Sequence, residues 1–248
     1  TLPRQNMEID VACVGFGPAT AGFLTTLSRG IVDTSGQTLL ESRAMPGMPL
    51  QVLCYERADD MSFGVSGVVT RARGLRQSFP DLDPGEVPMA QTVTDERLVY
   101  LLDPIGASRR GTGVRTLDRM ARAFRGLLRH RDHAVEAPWI PSFMEKRGGM
   151  IFSLGQLSQW VASKLMETGT VPLWPATPVR APLIEDGRVV GVRLADQGTD
   201  RHGQPADGFM PGMDIRAALT VVGDGPVGPV GRQLDEQLGV PDGFHRRE

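Results

Sequence analysis

The apolar positions near the N-terminus change period at a single glycine turn. Ile9 to Val14 is a short apolar run that stops at Gly15, the pattern of a strand buried on both faces of a parallel sheet. After Gly15-Phe16-Gly17-Pro18-Ala19-Thr20, the residues Ala21, Phe23, Leu24 and Leu27 recur at helical spacing as far as Gly30, which predicts a helix closed by glycine. Ile31 to Pro49 is polar and broken by Gly and Pro, so it is expected to be an insertion. Gln51 to Glu56 then reads as a second buried strand that ends in an acid.

Further along, Leu117, Met120, Ala121, Phe124, Leu127 and Leu128 form one stripe and predict a helix over Thr116 to Arg131. Its other faces carry Arg119, Arg122, Arg125, Arg129 and Arg131. A second helix is expected over Ser153 to Glu167, ending at Gly169. Val171 to Leu183 and Arg188 to Leu194 read as strands, and Glu185-Asp186-Gly187 between them is a hairpin signal. Ile215 to Val222 is the last strand, entering Gly223-Asp224-Gly225, and Gln233 to Leu238 is a short final helix. The expected class is α/β: a parallel sheet built from Ile9 to Val14, Gln51 to Glu56 and Ile215 to Val222, with an inserted antiparallel region.

Composition narrows the partners. In 248 residues, 27 Lys and Arg face 29 Asp and Glu, a net charge of -2, so no global basic field points to nucleic acid. The balance is uneven, however. Leu101 to Arg147 holds ten cations and five acids, a net +5, which leaves -7 for the rest. Six arginines from Arg115 to Arg131 lie beside the apolar stripe. That is the pattern of an interfacial helix on anionic lipid, and equally of an amphipathic helix packed on a core with a solvated basic face. No apolar run is long enough to cross a bilayer.

A strand that feeds Gly-x-Gly and then a helix aims backbone amides and the positive helix end at a pyrophosphate. Thr20 stands where the fingerprint usually has its third glycine. Glu56, at the end of the second strand, is placed to accept hydrogen bonds from ribose hydroxyls. Its distance from Gly15 is 41 residues rather than the usual ~20, and the insertion explains the excess. His130, Asp132, His133 and Glu136 lack a third distant ligand, so no metal is expected. Cys13 and Cys54 fall in neighbouring strands without a Cys-x-x-Cys motif and read as small buried residues.

Several stretches together resemble the electron-transfer flavoprotein:ubiquinone oxidoreductases and their FixC-like relatives, specifically their N-terminal portion. They are Val14 to Ala19, Tyr55-Glu56-Arg57, Ser66-Gly67 to Phe79-Pro80-Asp81, and Leu154 to Trp160. They continue with Asp207-Gly208-Phe209 to Pro211-Gly212-Met213, then Gly223-Asp224-Gly225 before Leu234. The likeness runs from Asp10 to Gly239 and is weakest between Asp103 and Arg147.

The resemblance implies a glutathione-reductase-type, Rossmann-like fold binding FAD. It places the first part of the FAD domain at 1–100, an inserted helical and antiparallel region at 101–214 and the second part at 215–248. The residues it assigns to FAD are Gly15, Gly17, Pro18, Ala19 and Thr20 at the glycine turn, and Glu56 and Arg57 at the adenosine end. Ser66 and Gly67 are expected near the flavin, and Gly223, Asp224 and Gly225 beside the adenosine. No protein residue is expected to act as acid or base, because the flavin carries the redox chemistry. Implied partners are an electron-transfer flavoprotein or similar donor, a quinone, and a membrane surface met through Thr116 to Arg131, with peripheral attachment on the cytoplasmic or matrix side. The family's iron-sulfur cluster needs four cysteines and this sequence has two, so the cluster domain is expected to be absent or on a second chain. A FixC-like or prenyl-reductase-like enzyme, or a non-catalytic subunit of a membrane assembly, are the alternative readings.

Overall fold

A computed structural model describes residues 3–61, 67–80, 82–102, 110–124, 126, 130–131, 133–226 and 228–241. Ser66, Asp81, Arg125, Leu127, Leu128, Arg129 and Asp132, singled out above, lie outside the described residues. The elements in chain order are β1 (Asn6–Val14), α1 (Pro18–Ile31), β2 (Val52–Tyr55), β3 (Gly67–Thr70), α2 (Arg73–Ser78), β4 (Gln91–Thr92) and β5 (Val99–Leu101). They continue with α3 (Thr112–Ala123), β6 (His130–Arg131), β7 (Ala134–Glu136), β8 (Met150–Ser153) and α4 (Leu154–Thr168). The remainder are β9 (Leu173–Trp174), β10 (Val179–Glu185), β11 (Arg188–Leu194), β12 (Gln197–Thr199), β13 (Pro205–Met210), β14 (Asp214–Val222) and α5 (Pro229–Gln237).

Two compact units result. The larger takes in Thr1–Val68, Arg73–Ala90 and Phe152–Glu248. Its sheet has the order β10-β11-β14-β1-β2-β9. The three expected strands are neighbours and parallel, with Val14 opposite both Val222 and Tyr55. β10 and β11 extend this sheet as an antiparallel hairpin, turned at Asp186 and Gly187, both with positive φ. This is the expected α/β class. All of Ile9 to Val14 is buried, because helices cover both faces. α1 and α4 pack together with Leu24, Ile31, Leu157, Val161 and Leu165 turned inward. Val230 of α5 joins Ala12, Val14, Tyr55, Val192 and Ile215 in a core cluster. Each such aliphatic side chain contributes roughly 1.5–3 kcal/mol of burial. The C-cap of α4 is Gly169 at φ +65°, where a left-handed residue ends the helix.

The insertion between α1 and β2 forms only isolated bridges. Asp10 ties it down: its buried carboxylate accepts from the backbone amides of Arg43, Ala44 and Gln51. Burial alone would raise its pKa, but the Ser42 hydroxyl and the three amides outweigh it and hold the carboxyl below its ordinary value.

The smaller unit takes in Val69–Ala72 and Gln91–Ile151. Here the helix expected over Thr116 to Arg131 is corrected. α3 starts at Thr112 and ends at Ala123, and His130–Arg131 pairs with Ala134 and Val135 in a hairpin. Gly126 follows just past its end, and glycine's backbone entropy disfavours helix at that position. α3 is also attached by its polar side. Asp118 is 4% exposed and accepts from the Tyr100 hydroxyl at 2.6 Å and from Arg110 Nη1 at 3.0 Å. Val114, Leu117, Met120 and Phe124 are left exposed.

Candidate functional site

The parallel strands β1, β2 and β14 end together, and their ends are stitched by backbone. Gly15 N–H donates to the Tyr55 carbonyl at 2.8 Å and Gly223 N–H to the Val14 carbonyl at 2.8 Å. Gly15 has φ +82°, and a Cβ there would lie 2.6 Å from the Gly223 carbonyl oxygen. Left-handed backbone and lack of space both demand glycine.

Helix α1 starts at Gly17, its N-cap, with Pro18 at the first helical position and no side-chain cap. Proline is preorganised there and has no N–H to leave unpaired, while the next amides and the positive helix end remain open to an anion. The glycine turn is also bound to Glu56: Phe16 N–H donates to Glu56 Oε2 at 2.7 Å, and Ala58 N–H donates to Oε1 at 2.9 Å. A carboxylate has about four acceptor sites, so Glu56 keeps capacity for further donors.

A cleft of about 440 Å³ opens at these strand ends, within the ordinary range for small-molecule sites. Gly15, Phe16, Gly17 and Pro18 form one wall, and Glu56, Arg57, Asp60 and Met61 a second. Gly223, Asp224, Gly225 and Pro229 form a third, with Leu154 and Ser158 of α4 and Val14, Tyr55, Pro178 and Val179 completing the lining. Of the residues singled out in the sequence, Gly15, Gly17, Pro18, Glu56, Arg57, Gly223, Asp224 and Gly225 are thus brought together. Ala19, Thr20 and Gly67 are not among the described residues lining the cleft: Thr20 is buried against Gly223, and Gly67 begins β3.

Asp224 has a structural task here. Its Oδ2 accepts from Val230 N–H at 2.9 Å and Gly231 N–H at 3.2 Å, holding the start of α5. A Cβ on Gly228 would lie 2.0 Å from the Asp224 carboxyl carbon, so the loop closes only around glycine. The lining residues not assigned from sequence are Val14, Phe16, Tyr55, Asp60, Met61, Leu154, Ser158, Pro178, Val179 and Pro229. Tyr55 was legible as the neighbour of Glu56, whereas Pro178-Val179 fell inside the strand expected over Val171 to Leu183, which the structure divides into β9 and β10, and nothing local placed them at the same strand ends.

No protein-family model matches the chain. It is similar to electron transfer flavoprotein-ubiquinone oxidoreductase of Pseudomonas aeruginosa, at 28% identity over 238 residues, 94% of this chain and 36% of that protein. The mitochondrial protein of that name from Mus musculus is 26% identical over 236 residues, 94% of this chain and 32% of that one. A probable protein of that name from Acinetobacter baylyi is 24% identical over 238 residues, 94% and 35% respectively. The chain therefore spans about a third of the length of these curated relatives. They bear out the resemblance read from the motifs, and all are named oxidoreductases. Among solved structures, a geranylgeranyl bacteriochlorophyll reductase-like protein from Thermoplasma acidophilum matches with TM-score 0.53 at 14% identity, covering 93% of this chain and 42% of that one. That likeness is one of fold.

Proposed function

We propose that the chain is the nucleotide-binding part of an FAD-dependent oxidoreductase that passes electrons from an electron-transfer-flavoprotein-type donor toward a quinone-like acceptor at a membrane surface. The observation that carries the reading is the cleft where an uncapped helix start, a glycine turn and Glu56 converge. Its parts suit FAD. Gly15, Gly17 and Pro18 leave backbone amides and the helix dipole facing a pyrophosphate, and Glu56 has lone pairs left for ribose hydroxyls. Arg57 and Gly223 to Gly225 border the adenosine side, with Ser66 and Gly67 assigned to the flavin side on the family pattern. Bound FAD supplies the redox chemistry; the chain's residues hold it, exclude water through the Val14, Val179 and Leu154 lining, and keep the phosphate loop shaped through Glu56.

Membrane contact rests on α3. Val114, Leu117, Met120 and Phe124 are exposed on a helix that buries Asp118, and Arg115 and Arg119 are exposed beside them. An apolar face flanked by arginine suits the headgroup region of an anionic bilayer. Among the described residues no helix is long and apolar enough to cross a membrane, so the proposed attachment is peripheral.

The acceptor is tested by reducing the flavin-loaded chain anaerobically and mixing it with a water-soluble ubiquinone analogue. Reoxidation that vesicles of anionic lipid accelerate supports the reading. A reduced flavin that stays reduced in the presence of the quinone overturns the proposed acceptor.

A further inference from the structure

Two helix starts open on the cleft. Leu154, the first residue of α4, lines it together with Gly17 and Pro18 at the start of α1. The helices run 15 and 14 residues and pack on one another, and neither start carries a side-chain cap or an acid in its first turn. Their open amides and positive ends therefore act on the same space.

Ser158 lies one turn beyond Leu154 on the same face of α4, and it too lines the cleft. The residue is 8% exposed, and among the described residues its hydroxyl meets no hydrogen-bond partner. The other hydroxyls of α4 are satisfied: Ser163 and Thr168 donate back to the Gln159 and Leu165 carbonyls, the usual resort of a helical hydroxyl. The described side-chain oxygens that are both unpartnered and wholly closed off belong to Thr20, Tyr55 and Thr220. The Ser158 oxygen is not one of them. Beyond its methylene a serine side chain is only that oxygen, so the surface Ser158 keeps is a donor offered to the cleft.

We propose that the cleft holds its diphosphate between both helix starts, with the Ser158 hydroxyl donating to a phosphate oxygen, so that Ser158 is a binding residue outside the glycine-turn fingerprint. This rests on the FAD reading above. The fingerprint supplies amides at α1 alone, whereas a hydrogen bond to a charged oxygen from α4 adds a second, stronger-than-neutral contact. The nucleoside stays with Glu56, so Ser158 separates phosphate binding from nucleoside binding.

The test is Ser158→Ala in the full chain, which removes only the oxygen. Wild type and variant are titrated with FAD, ADP and adenosine, and the free proteins are melted. The Kd for FAD and for ADP should rise about tenfold. Adenosine affinity should be unchanged, and the free variant should melt no lower than wild type, because alanine favours helix and no bond is lost. A variant that binds ADP as tightly as wild type overturns the proposal. So does one that loses ADP and adenosine affinity alike, or that melts lower, because the hydroxyl would then be serving the nucleoside or the scaffold. Wild-type protein that binds neither FAD nor ADP overturns the cofactor reading itself, a result distinct from the others.

Discussion

Thr20 and Gly223 are fitted to one another across the head of the sheet: a Cβ on Gly223 would lie 2.1 Å from Thr20 Oγ1. The glycine usual at the third fingerprint position lets the helix approach the strand. Here α1 carries the larger Thr20, buried at 2% exposure, and the space is yielded by β14's exit at Gly223.

Gly223→Ala should therefore cost about 1–3 kcal/mol through overpacking, lowering the melting temperature by several degrees. Thr20→Ala in the same chain should restore most of the loss, a coupling of about 0.5–3 kcal/mol in the double-mutant cycle. Additive losses would place the strain elsewhere.

Glu56 joins the glycine turn to the end of β2 by accepting from Phe16 and Ala58. Hydrogen bonds to a charged group are worth about 1.5–3 kcal/mol. Glu56→Ala should weaken FAD binding by about 10- to 100-fold, measured by calorimetric titration, and should destabilise the free chain because two amides lose their acceptor.

Asp10 sets an acid limit on stability. Its carboxyl is held below its ordinary value in the folded chain, so its contribution is fully present above the unfolded pKa of about 4 and is lost as pH falls through the folded value. Asp214, hydrogen-bonded and paired with Arg193, acts with the same sign. Chemical denaturation should show stability falling below about pH 4. Asp10→Ala should cost about 3 kcal/mol at pH 7 and flatten that acid slope.

The exposed face of α3 should bind anionic vesicles. Each arginine near such a surface contributes about 1 kcal/mol, so Arg115→Gln with Arg119→Gln should weaken vesicle partitioning by about 30-fold with little change in melting. Leu117→Asp should abolish partitioning and leave the fold intact, since that side chain is already 52% exposed. Equal partitioning of all these variants would remove the helix from the membrane reading.

The strands and the glycine turn were legible because their signals are local: an apolar run ending in glycine, then helical spacing, and an acid closing the next run. The parallel pairing of Val14 with Tyr55 and Val222 followed from βαβ logic. The extent of α3 was not legible, because the apolar stripe continues to Leu128 in the sequence while the helix ends at Ala123. Nor was its orientation. Periodicity shows that a helix has two faces, and only the partners of Asp118 reveal which face packs. The remaining cleft lining was hidden for a similar reason: Pro178 and Pro229 are far from Gly15 in sequence and meet it only through the order of the strands.

FAD binding by this chain is the central expectation. The full chain should be purified, supplied with FAD and freed of excess, and its visible spectrum recorded. A protein-bound flavin band at one FAD per chain, lost in Glu56→Ala, is expected. A preparation that shows no flavin and takes up none from added FAD would contradict it.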